Sequence, residues 1–460
     1  MSSDLNDLPE NWEMALLGED ADIKGRIGWK GYKKEDLRDS GPVVIGGVNV
    51  KNSLFLDLSD LKHLTREKYE ESPEIMLKNG DVLLVQRGNG IGDCGYFDGS
   101  ISEATINPTL IIISEFKGDP RFLFYYLVSA KGRENVLSRS SGSSVPAIYQ
   151  KPLKKLEYPK PPIDIQTKIA DFLSAIDKKI ELNRQINQTL EQIAQAIFKS
   201  WFVDFEPVKA KIEAKQNGQD PERAAMRAIS GKTDEELDQL NPDQLQQLTT
   251  TAALFPDELE DSELGEIPKE WKVTNFGEVS SCFDSKRVPL SKRQREQRQG
   301  NIPYYGATSI MDYVDDFLFD GVYLLTGEDG SVLKENGTPF VQYIWGKSWV
   351  NNHAHVLQGK NGVSTEHLMI FIQNQNITAY VTGAVQLKLN QKNMNSIPFI
   401  KATDPINHRF QIIIEPLYAK YQQATVEMAS LVSLRDSLLP KLISGKIISD
   451  VSKISSEAAA

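Results

Sequence analysis

Gly142-Ser-Ser-Val-Pro-Ala-Ile-Tyr-Gln-Lys-Pro-Leu-Lys-Lys-Leu-Glu-Tyr158 lies without a gap on Gly383-Ala-Val-Gln-Leu-Lys-Leu-Asn-Gln-Lys-Asn-Met-Asn-Ser-Ile-Pro-Phe399. Gly142 falls on Gly383 and Gln150-Lys151 on Gln391-Lys392, an offset of 241 residues. At nearly the same offset, Gly80-Asp-Val-Leu-Leu-Val-Gln-Arg-Gly-Asn-Gly90 falls on Asp320-Gly-Val-Tyr-Leu-Leu-Thr-Gly-Glu-Asp-Gly330, an apolar strand pattern followed by a Gly-rich turn in both places. Each copy also opens alike, with Leu8-Pro-Glu-Asn-Trp12 and Ile267-Pro-Lys-Glu-Trp271, and Gly18 and Gly277 follow six residues after the tryptophan. The chain is an internal repeat, and two equivalent modules suit two equivalent targets held at a fixed separation.

After each copy the periodicity changes. From Asp164, Ile169, Leu173, Ile176, Ile180, Leu190 and Ile197 follow steps of three and four residues, and the same register brings Asn183, Asn187 and Ala194 to the seam. A helix from Asp164 to Asp204 would run roughly 60 Å at about 1.5 Å per residue. Asparagine at a seam lowers stability but fixes register, because an amide opposite an apolar side chain is left unpaired. The second copy repeats the plan from Asn407 through Phe410, Ile414, Leu417, Tyr421, Ala424, Met428, Leu431, Leu434, Leu438 and Leu442, with Ser444-Gly445 as a stop. Two seams of similar length bury each other most economically as an antiparallel coiled coil; the alternative is a separate partner helix for each. Pro416 inside the second heptad run predicts a kink or a shifted helix start.

Residues 8 to about 162 read as a mixed, mainly β module: strand candidates at Val43-Val-Ile45, Val82-Leu-Leu-Val85 and Thr109 to Ile113, one helical patch from Arg121 to Leu127, and closure at Pro159-Lys-Pro-Pro162. The fold class expected is α+β, with two pseudo-repeated mixed, mainly β modules joined by two long helices. The boundaries are 1–162 for the first module, 163–206 for the first helix, 207–263 for an acidic helical connector, 264–403 for the second module, 404–448 for the second helix and 449–460 for a tail expected to be disordered.

The composition, 40% hydrophobic and 25% charged, is that of a soluble protein. The acidic amino terminus is unlike a signal peptide, and no apolar run is long enough to span a bilayer, so a cytoplasmic chain with no membrane partner is expected. Cys94 and Cys282 sit in different copies without Cys-x-x-Cys spacing, which implies neither a disulfide framework nor a thiolate zinc site. Taken as a total, the net charge of −11 argues against nucleic acid. The distribution of that charge argues the other way: between Glu206 and Glu270 there are 16 acidic and 7 basic residues, a net −9, leaving −2 for the rest. Near the start of the copies lie two basic stretches, Lys24, Arg26, Lys30, Lys33 and Lys34 in one, Lys286, Arg287, Lys292, Arg293, Arg295 and Arg298 in the other. Either run alone reads equally well as a solvated face, but their recurrence favours phosphate contact.

Enzymatic motifs are weak. Gly88-Asn-Gly-Ile-Gly-Asp-Cys-Gly95 has Asp93 where a dinucleotide loop needs its third glycine, and no helical pattern follows. Glu115-x-Lys117 after an apolar strand, together with His353 and His355, is the basis for an alternative reading as a stand-alone metal-dependent nuclease. His353-Ala-His355 places two imidazoles on one face of an expected strand without an evident third ligand, so zinc is less favoured than reading base edges beside Asn351-Asn352. Polar loops able to reach bases or phosphates are Arg87 with Asn89; Arg139 with Ser141, Ser143 and Ser144; Tyr305 with Thr308 and Ser309; and Lys347 with Asn351, Asn352 and His353.

Phe198-Lys-Ser-Trp-Phe-Val-Asp-Phe205, Leu254-Phe-Pro-Asp-Glu-Leu-Glu-Asp-Ser-Glu-Leu-Gly-Glu-Ile-Pro268, Arg435-Asp-Ser-Leu-Leu-Pro-Lys-Leu-Ile-Ser-Gly445, Pro161-Pro-Ile-Asp-Ile-Gln166 and Trp345-Gly-Lys-Ser-Trp-Val-Asn-Asn-His-Ala-His355 together resemble the specificity subunit of type I restriction-modification systems. The resemblance implies two target recognition domains that read the halves of an asymmetric bipartite DNA sequence, and spacer helices that set the unread gap. It implies no catalysis and no cofactor on this chain; S-adenosylmethionine, ATP and Mg²⁺ belong to two adenine methyltransferase subunits and to motor-nuclease subunits. Docking of those partners is expected around Gln166, Phe198, Trp201, Phe202, Phe205, Leu434, Leu438 and Leu442. In the second helix the nearest match to Gln166 is Gln411.

Overall fold

The computed structural model describes residues 8–25, 31–142, 146–383 and 386–447. They divide into two compact units, one running to Gln185 and resuming at Ala424, the other Ile186–Gln423. The tail expected at 449–460 lies outside the described residues.

In the first unit the central sheet is antiparallel, in the order Asp22–Gly25, Leu110–Ser114, Asp81–Val85, Cys94–Phe97. Every residue of the two middle strands is buried. Side chains alternate between the faces of a strand, so Val82, Leu84, Ile111 and Ile113 join one core with helix Pro120–Val128, while Leu83, Val85, Leu110 and Ile112 join another. A strand covered on both faces must be apolar throughout, as Leu110-Ile-Ile-Ile113 is. The second core is closed by Leu37–Ile45, which pairs antiparallel with Lys62–Leu64 and parallel with Ala104–Ile106. Glu13–Leu16 and Glu157–Lys160, the first and last longer strands, pair with each other.

The second unit repeats this topology. Its central sheet runs Ser280–Cys282, Ala354–Gly359, Tyr323–Gly327, Val341–Ile344. Gln299–Tyr305 pairs antiparallel with Ile310–Val314 and parallel with Lys347–Val350, and Lys272–Asn275 closes the module against Pro398–Lys401. The matched glycines have matched reasons. Gly142 and Gly383 both adopt positive φ, 108° and 94°, where a side chain is disfavoured. A Cβ on Gly18 would come within 2.7 Å of Lys154 Cβ, and one on Gly277 within 2.7 Å of Asn395 Cβ, the residue 241 places on from Lys154.

The ladders correct one match. The pair Val82 with Ile113 corresponds to Leu324 with Leu357, and Ile45 with Ile106 to Tyr305 with Val350. The central strand is therefore offset by 242 residues, not the 240 that aligning the Gly-rich turns requires. A slip of two residues leaves every side chain on its own face, so the apolar pattern cannot detect it.

The long helices are Ile163–Phe202 and Asp404–Ile443, each of 40 residues, and both ends keep the 241 offset. Gln166 donates from Nε2 to the Pro161 carbonyl at 2.8 Å, and Asn407 donates from Nδ2 to the Ala402 carbonyl at 2.9 Å. Asn407, not Gln411, is thus the counterpart of Gln166. Pro416 neither ends the helix nor delays its start; buried Ile414 and Tyr418 anchor the turn around it, which offsets the lost backbone hydrogen bond.

In each unit the helix segments pack antiparallel. In the first, Asn183 donates to Glu427 at 2.8 Å and Arg435 meets Asp177 at 2.8 Å; in the second, Phe202 and Phe410 have ring centroids 4.9 Å apart. Ile169, Leu173, Ile176, Ile180, Asn183, Asn187 and Ala194 are buried, but Leu434 is 44% exposed and leaves the expected seam. The acidic connector folds as helices Glu206–Gln216, Pro221–Ser230, Asp234–Asp238 and Pro242–Ala253 around Ala225, Met226, Leu237 and Ala252. Its buried Lys211 is held by Glu222 at 2.7 Å and the Phe255 carbonyl at 2.8 Å.

Candidate nucleic-acid interface

In the first unit three turns converge at one end of the strands. They are the turn after Leu37–Ile45, the Gly-rich turn after Asp81–Val85 and the turn Asn107-Pro-Thr109 before Leu110–Ser114. Together they line a cleft of about 630 Å³. Asn107 Oδ1 accepts from the backbone N–H of Thr109 at 2.9 Å, an Asx turn that aims both side chains at the opening. Arg87 and Asn89 are exposed on its wall, and Arg87 has no ion pair among the described residues. Ser141 joins them through strand Ala147–Ile148, because Ala147 pairs with both Ser141 and Arg87. The cleft also takes in Tyr32, Lys51, Lys62 and Val48, the last 71% exposed. Sequence reading missed these, although the motif Asn-x-polar before an apolar strand recurs 244 residues on as Asn351-Asn-His353. Lys51 is paired with Asp57 at 2.5 Å, whereas Lys62 has no ion pair among the described residues.

The corresponding end of the second unit gathers Tyr305, Thr308 and Ser309 with Asn351, Asn352 and His353. The turn is closed by Gly306 N–H donating to the Ser309 carbonyl at 2.8 Å, and Asn351 N–H donates to the Tyr305 carbonyl at 3.1 Å. Thr308, Ser309, Asn352 and His353 are exposed, as are Ile310 and Met311. Asn351 is only 3% exposed; its Oδ1 accepts from His353 N–H at 2.8 Å, which repeats the Asn107 turn. His353 Nδ1 lies 2.6 Å from Asp329 Oδ1. Tyr305 is half-buried within its strand, and burial raises its phenol above the usual range.

The basic stretches separate into free and committed cations. Lys286, Lys292, Arg293 and Lys347 are exposed; Lys292 has a long, solvated pair with Glu296 at 4.0 Å, Lys286 lies 5.1 Å over the Phe283 ring and Lys347 4.7 Å over Phe317. Arg287 is largely enclosed and bound to Glu328 at 2.8 Å, the Ala354 carbonyl at 2.6 Å and Asp284 at 3.3 Å, so no face remains for a phosphate. Arg295 and Arg298 pair with Asp312 and Asp315 at 3.0 and 2.9 Å. Lys24 is half-buried beside Asp22 at 3.4 Å, and Arg139 donates to the Asn135 and Lys155 carbonyls at 2.6 and 3.0 Å. Arg26, Lys30, Ser143 and Ser144 lie outside the described residues.

The two histidines do not share a strand face. His353 precedes strand Ala354–Gly359, and His355 is buried inside it, with Nδ1 2.5 Å from Asp284 Oδ2 and Nε2 2.7 Å from the Leu389 carbonyl. Burial opposes its charge, but the hydrogen bond and charge of Asp284 push its pKa up to about 10. Glu115 is paired with Lys78 at 3.8 Å, and Lys117 donates to the Glu19 carbonyl at 2.8 Å. Nothing here supports the nuclease reading.

The expected docking aromatics are core. Phe198, Trp201, Phe202 and Phe205 are at most 7% exposed and pack on Phe255, Trp271, His367 and Phe410. Leu442 is fully buried and Leu438 packs on the first unit's core. Gln166 is buried, accepting from Asp119 N–H at 3.1 Å. On the helix surfaces Leu182, Ile186 and Ile193 of the first helix and Ile412, Val426 and Leu434 of the second are apolar and exposed.

The family model described as the type I restriction modification DNA specificity domain matches the chain twice, over residues 9–192 and 268–423. The HindI type I restriction enzyme specificity subunit of Haemophilus influenzae is 28% identical, covering 95% of this chain and 100% of its own. The MjaIX specificity subunit of Methanocaldococcus jannaschii is 23% identical, covering 97% and 95%. The crystal structure of the type I restriction-modification S subunit from M. genitalium shares the fold, with a TM-score of 0.52, 16% identity and coverage of 95% of this chain and 96% of that one.

Proposed function

Because the chain belongs to the type I restriction-modification DNA specificity family, as a DNA-recognition subunit and not an enzyme, we propose that each module reads one half of an asymmetric bipartite duplex target. The observation that carries this is the repeated three-turn constellation, built in one copy on Asn107 and in the other on Asn351. In the first copy Arg87 and Asn89, with Lys62, face the bases and phosphates; in the second, Thr308, Ser309, Asn352 and His353 do so, flanked by Lys286, Lys292, Arg293 and Lys347. Amide and guanidinium groups can form bidentate pairs with adenine and guanine edges, while the lysines fix register on phosphates. Ser141 completes the first set, and Lys24, Arg139 and Tyr305 contribute from the margins.

The long helices act as the spacer. At about 1.5 Å per residue each 40-residue helix is roughly 60 Å long, more than the ~34 Å between sites read one turn apart on one duplex face. Two methyltransferase subunits, carrying S-adenosylmethionine, dock on the exposed apolar positions of the helices, Leu434 among them, and motor-nuclease subunits with ATP and Mg²⁺ join that complex in the cytoplasm. Among the described residues no helix is long and apolar enough to cross a membrane.

Methylation mapping in cells that co-express this chain with its methyltransferase tests the reading. A single bipartite motif with N6-methyladenine in each half, absent when this chain is omitted, is expected. Insertion of one helical turn into both helices should then lengthen the gap and leave both half-sites unchanged; altered half-sites would refute the spacer role.

A further inference from the structure

Inside the second module a polar cluster stands where the first module has isoleucines of its apolar core at two of the three positions. By the strand ladders, Cys282 pairs with Leu357 as Ile23 pairs with Ile113, and His355 pairs with Thr326 as Ile111 pairs with Leu84. Cys282, Asp284 and His355 thus stand where the first copy has Ile23, Gly25 and Ile111. A buried polar group is rarely more stabilising than an apolar one of its size, and the sibling copy demonstrates that this fold closes without it. The cluster therefore calls for a separate reason.

Its geometry is that of ligands. Cys282 Sγ, a carboxylate oxygen of Asp284 and a ring nitrogen of His355 all lie within 4.8 Å of one another. His355 turns Nδ1 to this group, while Nε2, on the far side of the ring, is engaged by the Leu389 carbonyl at 2.7 Å, the outer-sphere contact that orients metal-bound imidazoles. Glu328 Oε2 is 3.8 Å from the same Nδ1 and is held there by Arg287 at 2.8 Å. We propose that Cys282, Asp284 and His355 bind one zinc ion, with Glu328 closing the fourth position. A thiolate with imidazole and carboxylates suits zinc and its substitute cobalt, not magnesium or calcium. Binding replaces the thiol proton of Cys282 and the Nδ1 proton of the imidazolium, so two protons leave as the dication enters and the charge of the cluster is conserved. Metal–ligand distances near 2.0–2.3 Å place neighbouring ligand atoms about 3–4 Å apart; the Asp284–His355 pair would open slightly and Cys282 would close in. The ion would tie strand Ala354–Gly359 to the turn that leads into Lys286, Lys292 and Arg293.

The rival account is a metal-free network in which Asp284, His355, Glu328 and Arg287 satisfy one another and Cys282 adds only a hydrogen bond to His355, which a serine hydroxyl can replace. Cys282→Ser separates the two, because Cys282 is only partly buried and the variant keeps every pair of the network. The full-length protein is stripped with chelator, titrated with zinc alone and then with cobalt alone, and compared with Cys282→Ser and, as a control in the other copy, Cys94→Ala. One zinc bound per chain, release of two protons, a thiolate-to-cobalt charge-transfer band, and loss of affinity by more than about tenfold in Cys282→Ser only are expected. Substoichiometric zinc in the wild-type chain, or unchanged binding in Cys282→Ser, would overturn the proposal.

Discussion

The two recognition modules meet their helices through different chemistry. In the first unit the apolar packing of Ile169, Leu173 and Leu442 on the module is joined by an ionic and hydrogen-bonded set: Asp177, 5% exposed on the first helix, receives Arg435 of the second at 2.8 Å and the Tyr125 hydroxyl of the module at 2.7 Å, while Arg121 reaches Asp171 at 2.7 Å. In the second unit it is mainly aromatic: Phe198, Phe202, Phe399 and Phe410 surround His367, whose two ring nitrogens have no hydrogen-bond partner among the described residues, and Trp201 and Trp271 pack behind them. The order of the central strands is the same in both units, so the repeat constrains topology far more tightly than it constrains the side chains at the helix contact. A buried three-way polar contact fixes one orientation at a cost in desolvation, whereas a ring cluster contributes burial and tolerates more than one arrangement.

Asp177→Ala removes the centre of the polar contact in the first unit. It leaves the buried Tyr125 hydroxyl without its partner and Arg435, half-buried, with Asp436 alone, and should cost about 3 kcal/mol of first-unit stability in denaturant unfolding. Pairing Asp177→Leu with Arg435→Met should recover most of that loss, since both charges then leave together. A loss under about 1 kcal/mol for the single variant would mean that the contact is solvated. In the second unit the matching experiment is Trp201→Ala, expected to cost about 3 kcal/mol through lost burial and cavity, without the rescue that a charge pair permits.

Acid sharpens the contrast. Burial pushes the pKa of His367 down to about 3, against about 6.5 in an unfolded chain. The unfolded state therefore binds the proton that the folded state refuses, and stability is full above pH 6.5 and declines as pH falls toward 3. Linkage gives a loss of about 2 kcal/mol between pH 7 and pH 5. His367→Leu should abolish that slope in the second unit's unfolding transition; an unchanged slope would assign the acid sensitivity to another group.

The legible part of this architecture is the part written in periodicity and glycine. Gly142 and Gly383 mark the same backbone geometry, and the heptads of the first helix name its buried positions through Ala194. The hidden part depends on distant partners. The segment from Phe198 to Phe205 is the same string of rings whether it faces a partner or Phe410, and only the fold decides for the latter. Arg287 sits in a basic run but is neutralised by Glu328, 41 residues away. The counterpart of Gln166 is obscured because Asn407 preserves the amide's hydrogen bond and not the residue. The Asn107 turn is hard to recognise because proline follows it, although it occupies the position that Asn351 holds in the other copy.

The smallest effect tests whether the two clefts also differ in how they read DNA. In the first, Arg87 is an exposed cation without an ion pair among the described residues; the equivalent position by the strand ladders is Asp329, which engages His353 at 2.6 Å. The first cleft should therefore carry more of the electrostatic term and the second more of the neutral amide and hydroxyl contact. Arg87→Ala should lower the slope of log affinity against log salt by about one, if the guanidinium neutralises one phosphate. Asn352→Ala should leave that slope unchanged, weaken binding by about 1–3 kcal/mol and relax discrimination at one position of the second half-site only. Salt-series anisotropy on a duplex bearing both half-sites, repeated with each half-site scrambled, reads both quantities. Equal slopes for the two variants would mean that the clefts share one recognition chemistry and that the asymmetry between the modules ends at the helices.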